Sequence, residues 1–230
     1  MRIFIFTLLM TGCALSLCAQ PNTQNLVIVT LDGLRWQEVF SGVDSVLIDS
    51  RKYNHDKKDL RKMYWNDSAE ERRKKLFPFF WTTIAEEGQL YGNRLIGSEV
   101  NVANPYRFSY PGYNEIFTGY PDPEIFFNAK VQNPNTNVLE YINQQPEFHG
   151  KVAAFSSWDV IPYILNEERS GLYVNSDEAF EFDSPQISVL NDLQKFCSRP
   201  LDVRPDVLTY FGAREYLKAF RPRVLYIGFD

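Results

Sequence analysis

Residues 25–36 read Asn-Leu-Val-Ile-Val-Thr-Leu-Asp-Gly-Leu-Arg-Trp, and this stretch decides the fold class. The run Leu26–Leu31 is apolar and rich in β-branched residues, which is typical of a central strand buried on both faces of a parallel sheet. The run ends at Asp32, and open α/β sheets place their sites at the carboxyl ends of strands. We therefore interpret Asp32 as a candidate site residue. The alternative role is a cap for a helix predicted over residues 34–40.

Two further runs, residues 151–156 and Val224–Phe229, have the same strand-like character. Helices are predicted from a capping box at Ser68 and over residues 77–87, 109–119, 138–145, 160–168, 187–196 and 206–220, with an extended segment over residues 91–102. Strands that alternate with helices predict a three-layer α/β/α sandwich with a mostly parallel central sheet. The three strands should be parallel neighbours in that sheet.

The first 19 residues have the pattern of a secretory signal. A basic start at Arg2 precedes an apolar run over residues 3–10, and small residues lead to a cleavage point after Ala19. A membrane anchor or a lipoprotein at Cys13 fits less well, because the apolar run is short. We therefore expect an exported protein, periplasmic or secreted, without stable membrane insertion, whose folded domain spans residues 20–230.

Charge and composition limit the classes of partner that are expected. An apolar content of 44% excludes a disordered chain. The net charge of −5 gives no reason to expect nucleic acid or an anionic membrane. Within the chain, a polar insertion at residues 49–75 carries ten lysines and arginines. Such a block is either a basic flap that attracts anions or a solvated surface insertion, and the second interpretation is favoured.

A second motif surrounds Ser109. Residues 109–119 read Ser-Tyr-Pro-Gly-Tyr-Asn-Glu-Ile-Phe-Thr-Gly, and Pro111 is well placed for a helix start. Ser109 then lies at the helix N-terminus, where free N–H groups favour an anion. A serine hydroxyl is a weak nucleophile until a base or a metal activates it, and Asp32 could hold that metal. The alternative is that Ser109 is an ordinary N-cap.

These two motifs together resemble the alkaline-phosphatase superfamily, and most closely its type I phosphodiesterase/nucleotide pyrophosphatase group. The resemblance rests on residues 31–35 and 109–119, is continued by residues 152–158, and spans about residues 25–230. It implies an alkaline-phosphatase-like fold and a hydrolase that cleaves small phosphate esters with two divalent metal ions, usually zinc. It further implies that Asp32 is a metal ligand and that Ser109 is both the nucleophile and a metal contact. Asn128 is the nearest match to the asparagine that contacts a phosphate oxygen in that group.

The sequence also departs from that pattern. The family's Pro-x-x-His-Gly stretch is missing after residues 118–121, and the two histidines, His55 and His149, match no ligand position of the family. Asp230 either begins or immediately precedes the place of the missing ligand segment. The chain therefore resembles the N-terminal part of a longer enzyme.

Two other functions remain open. A sulfatase of the same superfamily would need an arginine where Tyr113 stands. A protein of the same fold that has lost its metals would bind a ligand without catalysis, and the low histidine count favours this second alternative for the chain as it stands.

Overall fold

The computed structural model describes residues 23–199 and 203–230, so the predicted leader lies outside the described residues. Four parallel strands form one sheet in the order β1-β4-β2-β3. The strands are β1 (Leu26–Leu31), β2 (Val152–Ser156), β3 (Tyr173–Ser176) and β4 (Val224–Phe229). The last strand in the sequence thus lies between the first two, and the prediction that the three apolar runs are parallel neighbours is confirmed.

Short helices fill the connections between the strands. In the described residues they are α1 (Trp36–Ser41), α2 (Ser45–Asp49), α3 (Lys57–Tyr64), α4 (Ala69–Leu76), α5 (Ala85–Glu87), α6 (Ser109–Thr118), α7 (Val138–Asn143), α8 (Ile161–Ile164), α9 (Glu167–Ser170), α10 (Ile187–Phe196) and α11 (Asp206–Phe220). A π-helical turn, Phe80–Ile84, leads into α5, and a 3₁₀ turn covers Arg94–Ile96.

Helices cover both faces of the sheet. On one face, Ala154 and Tyr226 belong to a core that includes side chains of α6, α7 and α8. On the other face, Phe155 and Leu225 pack with side chains of α10 and α11. Adjacent strand residues enter opposite cores because side chains alternate along a strand. The chain is therefore an α/β protein with an all-parallel sheet between two helical layers.

The burial predicted for β1 is wrong. Among the described strands, β1 pairs only with β4, so it forms one edge of the sheet. Val27 and Val29 are each 51% exposed, whereas Ile28, on the opposite face, packs against the α6 side. Among the described residues, no helix covers the outer face of β1. An apolar run therefore indicated a strand here, but it did not indicate how many neighbours the strand has.

Three local predictions also fail. Strand β3 was not predicted, because it is only four residues long and ends in the polar pair Asn175-Ser176. Residues 91–102 contain a 3₁₀ turn and no strand. The helix expected over residues 160–168 is divided into α8 and α9 by Asn166, whose backbone is left-handed with φ of 47°.

Arg204 fixes the carboxyl ends of β2 and β3. Its side chain is completely buried, and it donates to the carbonyl oxygens of Ser156 and Asn175 at 2.7 and 3.2 Å. It also donates to Thr209 Oγ1 at 3.0 Å. Burial is the main cause that lowers the pKa of Arg204 to about 10, because the partners within bonding distance are neutral. The guanidinium thus links β2 to β3 at the carboxyl end of the sheet, where the predicted site also lies.

Candidate active site

Asp32 and Ser109 line the same open cavity, which has a volume of about 390 Å³. Asp32 directly follows β1, and Ser109 is the first residue of α6. Asp32 is not a helix cap, because the N-cap of α1 is Arg35 and no side chain caps that helix. The two residues that the sequence singled out, 77 positions apart, are therefore brought together at the carboxyl edge of the sheet.

The Ser109 hydroxyl has no structural task in the described residues. The N-cap of α6 is Phe108, the helix has no side-chain cap, and Ser109 Oγ makes no hydrogen bond there. Ser109 is thus not the ordinary N-cap that the sequence left open as an alternative. A hydroxyl at the first position of a ten-residue helix lies where the helix dipole favours negative charge.

Asn128 lies beside this helix start. Its Oδ1 atom accepts a hydrogen bond from the backbone N–H of Tyr110 at 2.9 Å. Pro111 has no N–H, so few backbone donors in the first turn of α6 remain for an anion. The helix N-terminus alone is therefore a weaker anion site than the sequence suggested, and Asn128 is not among the residues that line the cavity of Asp32 and Ser109.

Glu115 fixes the loop that leads into Ser109. Its carboxylate accepts hydrogen bonds from the backbone N–H groups of Ala103 at 2.8 Å and Asn104 at 2.5 Å, and from Asn104 Nδ2 at 2.6 Å. Burial raises the pKa of Glu115, but these N–H donors outweigh burial and hold the pKa below its usual range. Through Glu115, helix α6 therefore fixes the loop that leads into its own N-terminus. No signal in the sequence marks Glu115 for this role.

Three hydroxyl groups lie close together where Thr30 and Tyr113 line the cavity. Thr30 Oγ1 is 2.9 Å from the Tyr226 hydroxyl and 3.4 Å from that of Tyr113. Burial raises the pKa of Tyr113 to about 12, and the charge of Asp32 adds to the shift. The phenol thus stays protonated at neutral pH and can act as a hydrogen-bond donor. Tyr113 is four residues after Ser109, so helical spacing could have predicted that both face one side.

Asp230 approaches Asp32 across the sheet. Leu31 pairs with Phe229, and the Asp32 N–H donates to the Phe229 carbonyl at 2.9 Å. The Asp230 N–H in turn donates to Asp206 Oδ1 at 3.1 Å. Burial raises the pKa of Asp230, and the nearby charges of Asp32 and Asp206 raise it further. The charges of three carboxylates thus act on one another at this end of the sheet.

These donors do not make a complete two-metal centre. In residues 23–199 and 203–230, no three His, Cys, Asp or Glu side chains are grouped so as to hold a metal. His149 lies before β2, at the amino end of the sheet, where its Nδ1 is 3.3 Å from the Asn143 carbonyl. His55 is exposed in the insertion. Asp32 and Ser109 fit part of one metal site, and the described residues do not supply the ligands of two.

Comparisons with protein-family models, with curated proteins and with solved structures find no match for this chain. Within the part of the chain that the structure describes, no helix has the length and apolar character needed to cross a membrane. The function must therefore be argued from the geometry of the site and from the resemblance of its two motifs.

Proposed function

We propose that this protein is an exported, metal-dependent hydrolase of phosphate esters, of the alkaline-phosphatase type, in which Ser109 is the nucleophile. The observation that carries the proposal is the convergence of Asp32 and Ser109 on one cavity at the carboxyl edge of a parallel sheet. The free Ser109 hydroxyl supports it, because a capping serine would have its oxygen occupied by the backbone.

In the proposed reaction, Ser109 Oγ attacks the phosphorus of a small phosphate ester. The bond from phosphorus to the leaving oxygen breaks, and the proton lost by the Ser109 hydroxyl balances the proton that the leaving alcohol takes up. Water then releases phosphate from Ser109 and restores the hydroxyl. A divalent metal, zinc by the family resemblance, supplies positive charge that activates the hydroxyl and offsets the charge of the phosphoryl oxygens.

The residues of this chain have separate parts in that scheme. Asp32 is the proposed carboxylate ligand of the metal, and Ser109 is its second contact. The first turn of α6 offers few free N–H groups, so the metal carries most of the proposed contacts to the phosphate, and Asn128 adds the amide contact that the family resemblance implies. Glu115 holds the loop before Ser109. The sulfatase alternative is weakened by Tyr113, whose buried phenol replaces the required guanidinium.

Zinc binding and hydrolysis of aryl phosphate mono- and diesters test the proposal together. We expect zinc to bind weakly and turnover to be slow, since the described residues supply only part of a catalytic ligand set. Asp32→Asn should weaken zinc binding further, measured by calorimetry. Ser109→Ala should abolish zinc-dependent hydrolysis and the phosphorylated protein species seen by intact-mass spectrometry.

The outcomes separate the alternatives. Zinc-dependent hydrolysis that is unchanged in Ser109→Ala would exclude Ser109 as the nucleophile. Zinc and orthophosphate binding without any hydrolysis or phosphorylation of Ser109 would instead support the binding protein of the same fold. Export is tested separately, because N-terminal sequencing of the secreted product should begin at Gln20.

A further inference from the structure

The positive charge of the insertion is concentrated in one short segment. Residues 49–75 contain ten of the 24 basic and six of the 29 acidic residues, so the insertion has a net charge of +4 and the rest of the chain −9. Residues 50–63 contain six of those basic residues but only two acidic ones, and thus carry the whole excess. The chain is therefore strongly polarised even though its net charge is negative.

The structure shows that this segment is part of a packed unit. The guanidinium groups of Arg61 and Arg72 both lie over the Trp65 ring, 4.6 and 4.7 Å from its centroid. Arg61 also donates to Asp49 at 2.8 Å, and Arg72 donates to the Ser41 carbonyl at 3.2 Å. These contacts join α3 and α4 to each other and to α1, so the charges are presented on a folded surface.

Several cations of the segment are not used in that packing. Arg51, Lys58 and Lys62 are exposed and form no hydrogen bond or ion pair within the described residues. Lys58 and Lys62 are one helical turn apart on α3 and therefore share a face. In contrast, Lys74 of α4 is paired with Glu70 at 2.9 Å. The unneutralised charge thus lies on the α3 side of the insertion.

Large apolar side chains are also exposed within this segment. Tyr53, which follows Lys52, is 60% exposed, and Met63, which follows Lys62, is 53% exposed. Cations interspersed with exposed aromatic and apolar groups suit the interface of an anionic bilayer, where the cations meet headgroups and the apolar groups enter the boundary. A linear polyanion would use the cations but would leave Tyr53 and Met63 without a role.

We propose that residues 50–63 form a peripheral docking surface for an anionic lipid bilayer. The charge of −9 elsewhere orients the molecule, because it repels the remaining surface from the same bilayer. The association is electrostatic at long range, so salt weakens it. This proposal is independent of the chemistry proposed for Ser109.

Flotation with lipid vesicles tests the proposal. The protein should partition onto vesicles of phosphatidylcholine mixed with phosphatidylglycerol, but not onto phosphatidylcholine alone. Neutral vesicles also control for an apolar leader that has not been removed. Lys58→Gln combined with Lys62→Gln should reduce partitioning about thirtyfold, since each cation near a charged membrane contributes about fivefold. Lys195→Gln with Lys218→Gln makes the same charge change outside the insertion and should have little effect.

A second pair of variants tests the choice of a bilayer. Tyr53→Ser with Met63→Gln should weaken vesicle binding while binding to dextran sulfate, a soluble polyanion, stays unchanged. Failure to bind anionic vesicles at low salt would overturn the proposal, as would equal losses in the Lys195/Lys218 control. Vesicle binding that is insensitive to Tyr53 and Met63 and fully displaced by dextran sulfate would assign the surface to a linear polyanion instead.

Discussion

Asp32 directly follows β1, and Asp230 directly follows β4 at the equivalent position of the paired strand. Both carboxyl groups therefore lie at the carboxyl end of the sheet. The sign of the pKa shift at Asp230 has a consequence for stability. Burial raises its pKa, and Asp32 and Asp206 raise it further. A carboxyl group with a raised pKa stabilises the fold below the unfolded-state pKa, and this contribution is lost as the pH rises through the folded-state pKa.

Asp230→Asn should therefore increase the free energy of unfolding at neutral pH, because the amide carries no charge to be repelled by Asp32. At a pH below the unfolded-state pKa the variant and the parent protein should be equally stable. Urea denaturation at the two pH values measures this difference. An equal effect of the substitution at both pH values would show that charge is not the cause.

Ser109→Ala should leave the stability of the fold unchanged within about 0.5 kcal/mol, because the hydroxyl caps nothing. Ser68→Ala is the matched control, since Ser68 Oγ accepts from the Glu71 N–H at 3.5 Å at the start of α4. Ser68→Ala should lower the free energy of unfolding by about 0.5–1 kcal/mol. Thermal denaturation of both variants compares them, and a larger cost for Ser109→Ala would reveal an unseen structural contact.

Glu115→Gln should loosen the loop before Ser109. The neutral amide has one acceptor oxygen where the carboxylate has two, and the N–H groups of Ala103 and Asn104 both need one. Because the pKa of Glu115 is lowered, its stabilising effect is present above the unfolded-state pKa and is lost as the pH falls through the folded-state pKa. Hydrogen exchange at Ala103 and Asn104 should therefore show protection that falls with acidification in the parent protein and is low throughout in the variant. Equal protection of Ala103 and Asn104 in the parent protein and in the variant would show that Glu115 does not hold this loop.

Val29→Lys should reduce self-association without unfolding the protein. Val29 lies on the uncovered face of the edge strand β1, and exposed apolar edge strands pair with other chains. Light scattering at increasing protein concentration measures the effect. Ile28→Lys is the control on the opposite face, where a lysine enters the core beside α6 and should destabilise the fold by several kcal/mol. A soluble and stable Ile28→Lys would show that the faces are assigned wrongly.

The sequence predicted the elements of the fold better than their surroundings. The apolar runs of β1 and β4 indicated strands with the observed bounds, because β-branched residues favour extended structure locally. Whether β1 is central or at an edge depends on strand order, which is not a local property. Asp32 and Ser109 could be proposed as candidates from their motifs, and both line one cavity, but the role of Glu115 could not be predicted, since a surface glutamate on a helix has the same local pattern.

Arg204 also shows that local sequence patterns do not reveal the surroundings of a residue. An arginine between prolines in a loop has the local pattern of a solvated residue, yet its side chain is completely buried. Its partners Ser156 and Asn175 are far away in the sequence, and they make burial tolerable by accepting its hydrogen bonds. Strand β3, too short and polar to be predicted, depends on this contact.

The strand order also sets the sequence of events during synthesis. Leu26 pairs with Val224, so β1 has no strand to join until roughly 190 further residues have been added. Strands β2 and β3 are close in the chain and can pair much earlier. The apolar run of β1 must therefore wait, unpaired and prone to aggregation, while the ribosome makes the rest of the chain. A chaperone that binds the apolar run of β1 until β4 is available would accordingly increase the yield of soluble protein more than one that acts after β4 has paired.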